Sequence, residues 1–180
     1  MSTVTAVAKP AIGEVVFWRP MLESDLGIVA ALEQRIHAAP WTIGNFRDAC
    51  AAGNLAQVGE RGGEIVAYGV LLQGPGEVEL LNLSVRPEAR REGLGRALLR
   101  RLIDEAVGGG AQRMFLEVRV SNAIALDLYE SEGFVAMARR EGYYPPDVPG
   151  GAREAAVVMR RTLTPNECSA DIGECVDARV

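Results

Sequence analysis

The sequence has few of the residues that build metal centres and disulfide frameworks. It contains one histidine and three cysteines in 180 residues. An odd number of cysteines does not make a disulfide framework, and the six residues between Cys168 and Cys175 match no standard zinc-binding spacing. We expect both to be free thiols, with a disulfide between them as the less favoured alternative. No cluster of His, Cys, Asp and Glu indicates a metal site, so we predict none.

Long apolar runs and a strong charge of one sign are also missing. No apolar run approaches the ~20 residues of a membrane-spanning helix, and the N-terminus lacks the basic start and apolar stretch of a secretory signal peptide. The net charge is −5, whereas non-specific nucleic-acid binding needs a dense surface of Lys and Arg. We therefore expect a cytoplasmic protein that binds no membrane and no nucleic acid directly. The sequence leaves its oligomeric state open.

The length is that of one domain. A domain of roughly 150 residues buries about two-thirds of the surface of its unfolded chain, and the sequence shows neither an internal repeat nor a second domain. We predict a flexible leader over residues 1–13, one domain over 14–164 and a flexible tail over 165–180. The tail is acidic, with four Asp or Glu against one Arg.

Hydrophobic spacing predicts both strands and helices, as in an α/β domain. We predict helices over residues 28–36, 43–52, 94–107 and 122–132. We predict strands over residues 15–19, 55–61, 64–72, 77–85, 113–120 and 155–163. A loop rich in Pro and Gly is expected over 142–151.

The fourth of these strands, 77–85, changes its hydrophobic phase. Val78 and Leu80 are apolar at even positions, whereas Leu81, Leu83 and Val85 are apolar at odd positions. A β-bulge produces such a one-residue slip, because side chains on a strand alternate with a period of two. A strand buried on both faces gives the same pattern without a bulge. The residues alone favour neither explanation.

Glycines and arginines follow this strand, where the next helix begins. Gly93 and Gly95 let the backbone approach a ligand closely. A helix N-terminus directs unpaired N–H groups and the positive end of its dipole at one place. With Arg90, Arg91 and Arg96 nearby, these features indicate an anion site that suits a diphosphate. A plain strand-to-helix turn is the alternative, and the full glycine patterns of Rossmann and Walker loops are absent.

Two stretches resemble the motifs of the GNAT superfamily of N-acetyltransferases. The first is Arg-x-x-Gly-x-Gly at residues 90–95, which follows an apolar strand and opens a Leu-rich helix. The second runs over residues 122–134 and contains Leu-Tyr-Glu. Each occurs once, in the superfamily's order, with a predicted strand between them. The resemblance covers roughly residues 15–163.

The resemblance implies a mixed, largely antiparallel sheet flanked by helices, with a bulge in the fourth strand, and acetyl-CoA as cosubstrate. The main chain of that strand would hold the thioester and pantetheine, the loop after it would hold the diphosphate, and Asn122 would hydrogen-bond the CoA arm. Helix capping is the alternative for Asn122, and Ser121 could cap equally well. The implied cofactor-binding residues are Leu83, Ser84, Val85, Arg90, Arg91, Glu92, Gly93, Leu94, Gly95, Arg96 and Asn122.

Glu117 and Tyr129 have the chemistry that acetyl transfer to an amine requires. The amine must lose a proton before it attacks the thioester, and the sulfur gains one as it leaves. A carboxylate can accept the first proton and a tyrosine hydroxyl can donate the second. The resemblance implies Glu117 as the base, directly or through water, and Tyr129 as the acid. The structural alternatives are an ion pair of Glu117 with an Arg and a half-buried Tyr129 with a satisfied hydroxyl. No cysteine lies near the motifs, so we expect direct transfer without a covalent acetyl-enzyme.

Four further stretches resemble the RimI subfamily; they cover residues 37–41, 116–122, 128–131 and 143–145. This resemblance implies transfer to the N-terminal alanine of a small-subunit ribosomal protein.

The resemblance to that subfamily also implies that Trp41, Tyr143 and Tyr144 line the groove for the acceptor peptide, with core packing as the alternative for these aromatic residues. His37, the single histidine, is expected to be structural or to line the groove rather than to act in catalysis.

Two other functions of the protein stay open. One is acetylation of lysine side chains or of a small-molecule amine. The other is non-catalytic binding of acyl-CoA, against which the presence of both Glu117 and Tyr129 speaks.

Overall fold

A computed structural model describes residues 15–146 and 151–164 of the chain. The predicted leader and the predicted acidic tail lie outside the described residues, and so do Cys168 and Cys175.

Each strand and helix predicted from the hydrophobic spacing has a counterpart in the described part of the chain. The strands are β1 Phe17–Pro20, β2 Leu55–Arg61, β3 Glu64–Gly74, β4 Glu77–Val85, β5 Arg113–Arg119, β6 Val135–Tyr144 and β7 Glu154–Thr162. The α-helices are α1 Leu26–Ile36, α2 Ile43–Ala51, α3 Leu94–Gly108 and α4 Ala123–Ser131. Short 3-10 turns cover Glu23–Asp25 and Pro87–Ala89.

The strands belong to one sheet in the order β1-β2-β3-β4-β5-β7-β6. β1 pairs with β2, β5 with β7 and β6 with β7 in antiparallel orientation, whereas β4 and β5 are parallel. Helix α3 connects the parallel pair, since parallel neighbours need a crossover. The predicted mixed, largely antiparallel sheet with helices is confirmed.

The described residues divide into two compact units. The first contains the residues up to Val70 together with Asn82–Leu98. The second contains Leu71–Leu81 and the residues from Leu99 onward.

The helices of the first unit bury one face each. Phe46 of α2 is buried, and its ring meets that of Tyr68 edge-on at a centroid distance of 5.9 Å. Helix α2 begins at a capping box, in which the hydroxyl of Thr42 accepts from the N–H of Asn45 and the amide of Asn45 accepts from the N–H of Thr42. The buried residues of α1 recur about once per turn and include one charged residue; they are Leu26, Val29, Ala30, Leu32 and Glu33.

Strand β4 alternates strictly between buried and half-buried residues along its whole length. The buried residues are Val78, Leu80, Asn82 and Ser84. The predicted bulge is therefore not confirmed. The hydrophobic phase changes because two polar residues take the buried positions at 82 and 84, and the half-buried opposite face agrees with a strand covered on both sides.

Strand β6 was not predicted from the sequence. Almost all of its residues are exposed, so its sequence has no alternation of apolar and polar residues from which a strand could be recognised. Its pairing with β7 also shifts register twice, between Ala136 and Ala138 and between Arg140 and Tyr144.

In the second unit, β5 shows the alternation of a strand with one well-buried face. Met114, Leu116 and Val118 are buried, and the residues between them are half-buried. The parallel pairing with β4 runs from Glu77–Leu80 opposite Arg113–Leu116 and so ends one residue before Glu117. None of the helices among the described residues is long and apolar enough to cross a membrane.

Two glycines of the first unit make a matched test of packing. Gly59 lies opposite Trp18, and a Cβ at position 59 would lie 2.5 Å from the indole ring. We expect Gly59→Ala to lower the free energy of unfolding by about 1–3 kcal/mol, because the ring must move. A Cβ added to Gly27, in α1, would meet no atom within 4 Å, so Gly27→Ala should raise this free energy by about 0.4–1 kcal/mol. Urea unfolding measures both, and equal stabilities would contradict this account of the packing.

Candidate active site

The loop between β4 and α3, in the first unit, has the backbone geometry of an anion site. Arg91 and Gly93 adopt left-handed φ angles of 67° and 83°, and a non-glycine residue is uncommon in that region. A Cβ at Gly93 would meet no atom within 4 Å, so the glycine borders open space. Because α3 begins at Leu94, its first N–H groups lack partners within the helix. Such a turn suits a phosphate.

The side chains of this loop are cationic. Glu92 is neutralised by Arg61, whose Nη1 lies 2.5 Å from its Oε2. The Nε of Arg90 donates to the carbonyl oxygen of Val85 at 3.3 Å and ties the loop to the end of β4. Of the predicted diphosphate-binding residues, four are exposed, namely Arg90, Arg91, Glu92 and Gly93, and three are half-buried, namely Leu94, Gly95 and Arg96.

The side chains at the end of β4 are at least half-buried. Leu83 and Val85 are half-buried, and Ser84 is buried. The hydroxyl of Ser84 is engaged with Asn82 at 3.1 Å and with His37 at 2.8 Å. The hydroxyl of Ser84 is therefore already hydrogen-bonded within the first unit.

Glu117, in the second unit, forms an ion pair and hydrogen bonds with residues of β6. Its Oε1 lies 2.6 Å from Nη1 of Arg140. Its carboxylate accepts a hydrogen bond from Tyr143, which is the main reason that the pKa of Tyr143 is raised. The hydroxyl of Tyr144 donates to the carbonyl oxygen of Glu117 at 3.2 Å. The ion pair with an Arg, the structural alternative for Glu117, is thus present.

A second carboxylate lies in the same environment. Burial raises the pKa of Glu79, the negative charge of Glu117 raises it further, and Arg140 opposes both. Glu79 pairs with Phe115 on β5, so its side chain shares a sheet face with Glu117 two residues along. This part of the second unit is therefore acidic, with Arg140 as its counter-ion.

Tyr129, on α4 of the second unit, is buried. Its ring meets Phe134 edge-on at a centroid distance of 5.7 Å. Burial raises the pKa of its hydroxyl above the ordinary value of 10, with a further contribution from Tyr144. A hydroxyl in this environment keeps its proton at neutral pH.

The three aromatic residues predicted to line a peptide groove have different environments. Trp41, in the first unit, is half-buried and packs on Phe46 at a centroid distance of 5.1 Å. In the second unit, Tyr143 is 41% exposed. Tyr144 is half-buried beneath the guanidinium of Arg119, which lies 4.5 Å from its ring centroid, and burial with the charge of Glu117 raises its pKa to about 12. Tyr143 is the most accessible of the three.

Asn122 caps α4, which is the structural alternative given for it in the sequence analysis. Its Oδ1 accepts from the N–H of Ala125 at 3.3 Å. Glu154 holds the preceding turn: it accepts from the N–H of Ser121 at 2.7 Å and from Arg119 at 2.9 Å. The bonds from Ser121 and Arg119 lower the pKa of Glu154 to about 2.

Within the described ranges, no group of three or more His, Cys, Asp or Glu is placed to hold a metal ion. Cys50 is a free cysteine on α2. Burial and the nearby charge of Glu23 raise the pKa of its thiol, which lowers the thiolate fraction and with it the reactivity.

Sequence reasoning missed Glu79 and Arg140. Arg140 had no place in a predicted element, because β6 was not recognised. Glu77 and Glu79 lie two residues apart on β4 and so share one face of the strand. From the sequence alone, Glu79 has the pattern of a solvent-exposed acidic residue, because its neighbours on β5 and β6 are not yet known.

The sequence matches the acetyltransferase (GNAT) family over residues 26–134. Ribosomal protein bS18-alanine N-acetyltransferase of Escherichia coli is 39% identical over 136 residues, which are 76% of this chain and 90% of that protein. N-alpha-acetyltransferase RimI of Mycobacterium tuberculosis is 37% identical over 131 residues, which are 69% of this chain and 81% of that protein. The crystal structure of the ribosomal-protein-S18-alanine N-acetyltransferase from Escherichia coli has a TM-score of 0.78 at 35% identity, and the match covers 83% of this chain and 95% of that one.

The bonds of Glu154 predict an acid-dependent contribution to stability. Because its folded pKa is lowered from the ordinary 4.5 to about 2, the contribution is complete above the ordinary value and is lost as the pH falls through the folded value. We expect Glu154→Gln to be less stable than the parent protein at pH 6, and the difference to shrink as the pH falls from about 5 toward 2. Urea unfolding across this range measures it; a difference independent of pH would contradict the assignment.

Proposed function

The chain belongs to the acetyltransferase (GNAT) family, and we propose that it transfers the acetyl group of acetyl-CoA to the N-terminal α-amino group of a protein, namely the N-terminal alanine of a small-subunit ribosomal protein. We choose this acceptor because the chain is similar, over most of both chains, to enzymes that modify the alanine of ribosomal protein bS18. We assign the activity to residues 14–164 and place it in the cytoplasm.

The cofactor end of the proposal depends on the loop of the first unit. The diphosphate of acetyl-CoA binds the N–H groups at the start of α3, and the arginines of the loop neutralise its charge. The left-handed backbone at Arg91 and the open space at Gly93 support this assignment. Main-chain groups of Leu83, Ser84 and Val85 hold the pantetheine and thioester, and a backbone N–H there stabilises the oxyanion. Asn122 adds a hydrogen bond to the CoA arm.

The chemical step depends on two side chains of the second unit. The amine nitrogen attacks the thioester carbonyl carbon, the new C–N bond forms and the C–S bond breaks. Glu117 accepts the proton that the amine loses, directly or through water, and Tyr129 donates a proton to the departing sulfur. The half-buried carboxylate of Glu117 and the protonated, buried hydroxyl of Tyr129 support these roles.

The proposed acceptor is a weaker base than a lysine side chain, which reduces what is required of Glu117. An α-amino group has a pKa of about 7.7–8, against about 10.4 for a lysine side chain. Roughly a tenth of the acceptor is therefore already neutral near pH 7, and the base has less to do than it would with lysine. In the proposal, Trp41, Tyr143 and Tyr144 line the groove for the first residues of the acceptor.

The acceptor is tested with acetyl-CoA and a panel of amines read by mass spectrometry. The panel contains a peptide that begins with alanine, the same peptide with a blocked N-terminus and an internal lysine, and a set of small amines. We expect acetylation of the free N-terminus alone. Acetylation only of lysine or of small amines would overturn the choice of acceptor. Binding of acetyl-CoA by calorimetry without turnover of any amine would instead indicate a non-catalytic module.

The acid is tested by Tyr129→Phe, which removes one oxygen and keeps the ring that packs on Phe134. Acid–base catalysis contributes about 10²–10⁴-fold, so we expect kcat to fall by roughly 10²-fold or more. The dissociation constant of acetyl-CoA, measured by calorimetry, should stay within about threefold, because the diphosphate contacts remain. An unchanged kcat would remove Tyr129 from the acid role.

A further inference from the structure

The first unit contains a buried carboxylate that the proposed mechanism does not use. Glu33, on α1, is 2% exposed, and a buried carboxylate is stable only where hydrogen-bond donors surround it. The hydroxyl of Tyr68 donates to its Oε2 at 2.5 Å. The Nδ2 of Asn82 and the main-chain N–H of Trp41 donate to its Oε1 at 3.1 and 3.3 Å. One carboxylate therefore joins β3, β4 and the loop that follows α1.

His37, at the end of α1, extends this network to the surface. Its Nε2 lies 2.8 Å from Oγ of Ser84 and 3.6 Å from Oε2 of Glu33. The hydroxyl of Ser84 has one hydrogen, which it gives to Oδ1 of Asn82 at 3.1 Å or to the oxygen of Tyr68. Both of these atoms can only accept here, because Tyr68 and Asn82 direct their own hydrogens at Glu33. With the hydroxyl hydrogen of Ser84 directed at Asn82 or Tyr68, Nε2 of His37 is the donor in its hydrogen bond to Ser84.

The hydrogen bonds of the network consequently run in one direction. They lead from His37 through Ser84 and Asn82 to Glu33, where those from Tyr68 and Trp41 also end. Loss of the common acceptor would leave several buried donors facing one another, which costs more than the loss of one bond.

We propose that Glu33 is a positioning residue for acetyl transfer, which fixes the loop of residues 37–41 and the end of β4 in one arrangement. The inference rests on the proposed function, in which Trp41 lines the acceptor groove and the main chain at 83–85 holds the thioester. Glu33 acts through these segments and not on the reacting atoms. The network fixes both, because it ends on Trp41 in one segment and on Asn82 and Ser84 in the other.

The main test is Glu33→Gln, which keeps the shape of the side chain and places an NH₂ group against the existing donors. Small displacements of a reacting group cost up to about 10²-fold in rate, so we expect kcat/KM for the acceptor peptide to fall by about tenfold or more. The dissociation constant of CoA should stay within about threefold, because the diphosphate loop carries no residue of the network. A kcat/KM within about twofold of the parent value would overturn the proposal.

Asp25→Asn is the matched control for the loss of a buried carboxylate. Asp25 belongs to the same unit, is 5% exposed and is bonded to Arg19 at 2.6 Å and to the N–H of Leu22 at 2.7 Å. Its contacts lie outside the network, so we expect reduced stability with kcat/KM unchanged below the unfolding transition. An equal loss of kcat/KM in both variants would show a general effect of destabilisation and would overturn the positioning role.

If Glu33→Gln does not fold, Tyr68→Phe removes one donor while keeping the ring on Phe46. We expect kcat/KM to fall by roughly threefold or more, and an unchanged kcat/KM would overturn the proposal.

A spectroscopic readout needs no turnover and so separates this inference from the proposed function. The chain has one histidine, so a protein without a histidine tag gives one set of imidazole signals. Near pH 8 we expect the Nε2-bound proton of His37 to be visible by NMR, because Ser84 accepts it, and the signal to be lost in Glu33→Gln. If the parent protein acetylates no protein N-terminus, the proposed function fails while this signature still tests the network. If the signal is absent from the parent protein or persists in Glu33→Gln, the network does not depend on Glu33 and the inference fails alone.

Discussion

The carboxylate of Glu33 imposes the constraint on which the first unit depends: an acidic group without access to water must be met by donors on every side. Those donors come from β3, β4 and the loop after α1. The constraint explains the odd sequence of β4. Asn82 and Ser84 occupy buried positions because they serve the polar network, and the apolar residues of the strand fall on the other face. The change of hydrophobic phase thus reflects a polar core, and no bulge is needed to account for it.

The sequence was a good guide to elements that have a periodic buried face and to motifs fixed by local chemistry. The helices, the alternating strand β5 and the turn at Gly93 belong to this group, and the predicted acetyltransferase family and sheet type are confirmed. Strand β6 was missed because an exposed strand has no periodic signal. Arg140 was missed with it, since its ion pair with Glu117 joins residues that are far apart in the sequence.

The roles of the site residues remain predictions, for a physical reason. A carboxylate that pairs with an arginine and a buried tyrosine that packs on a phenylalanine have the same contacts whether or not they also move protons. Likewise, Asn122 caps a helix through its oxygen, and this does not decide what its NH₂ group contacts when a cofactor is bound. Contacts within the protein fix where these groups are held, whereas their chemistry is decided by what they meet during turnover.

The exposed strand β6 has a consequence for how copies of this chain behave at high concentration. It lies at one end of the sheet order, so no strand of the described residues pairs with one side of its backbone. A long, regular edge strand templates the addition of further strands and leads to aggregation. Here the pairing with β7 shifts register twice, and Arg139, Arg140 and Glu141 place charges along the edge. A charged edge with an irregular register therefore disfavours the addition of a further strand at β6.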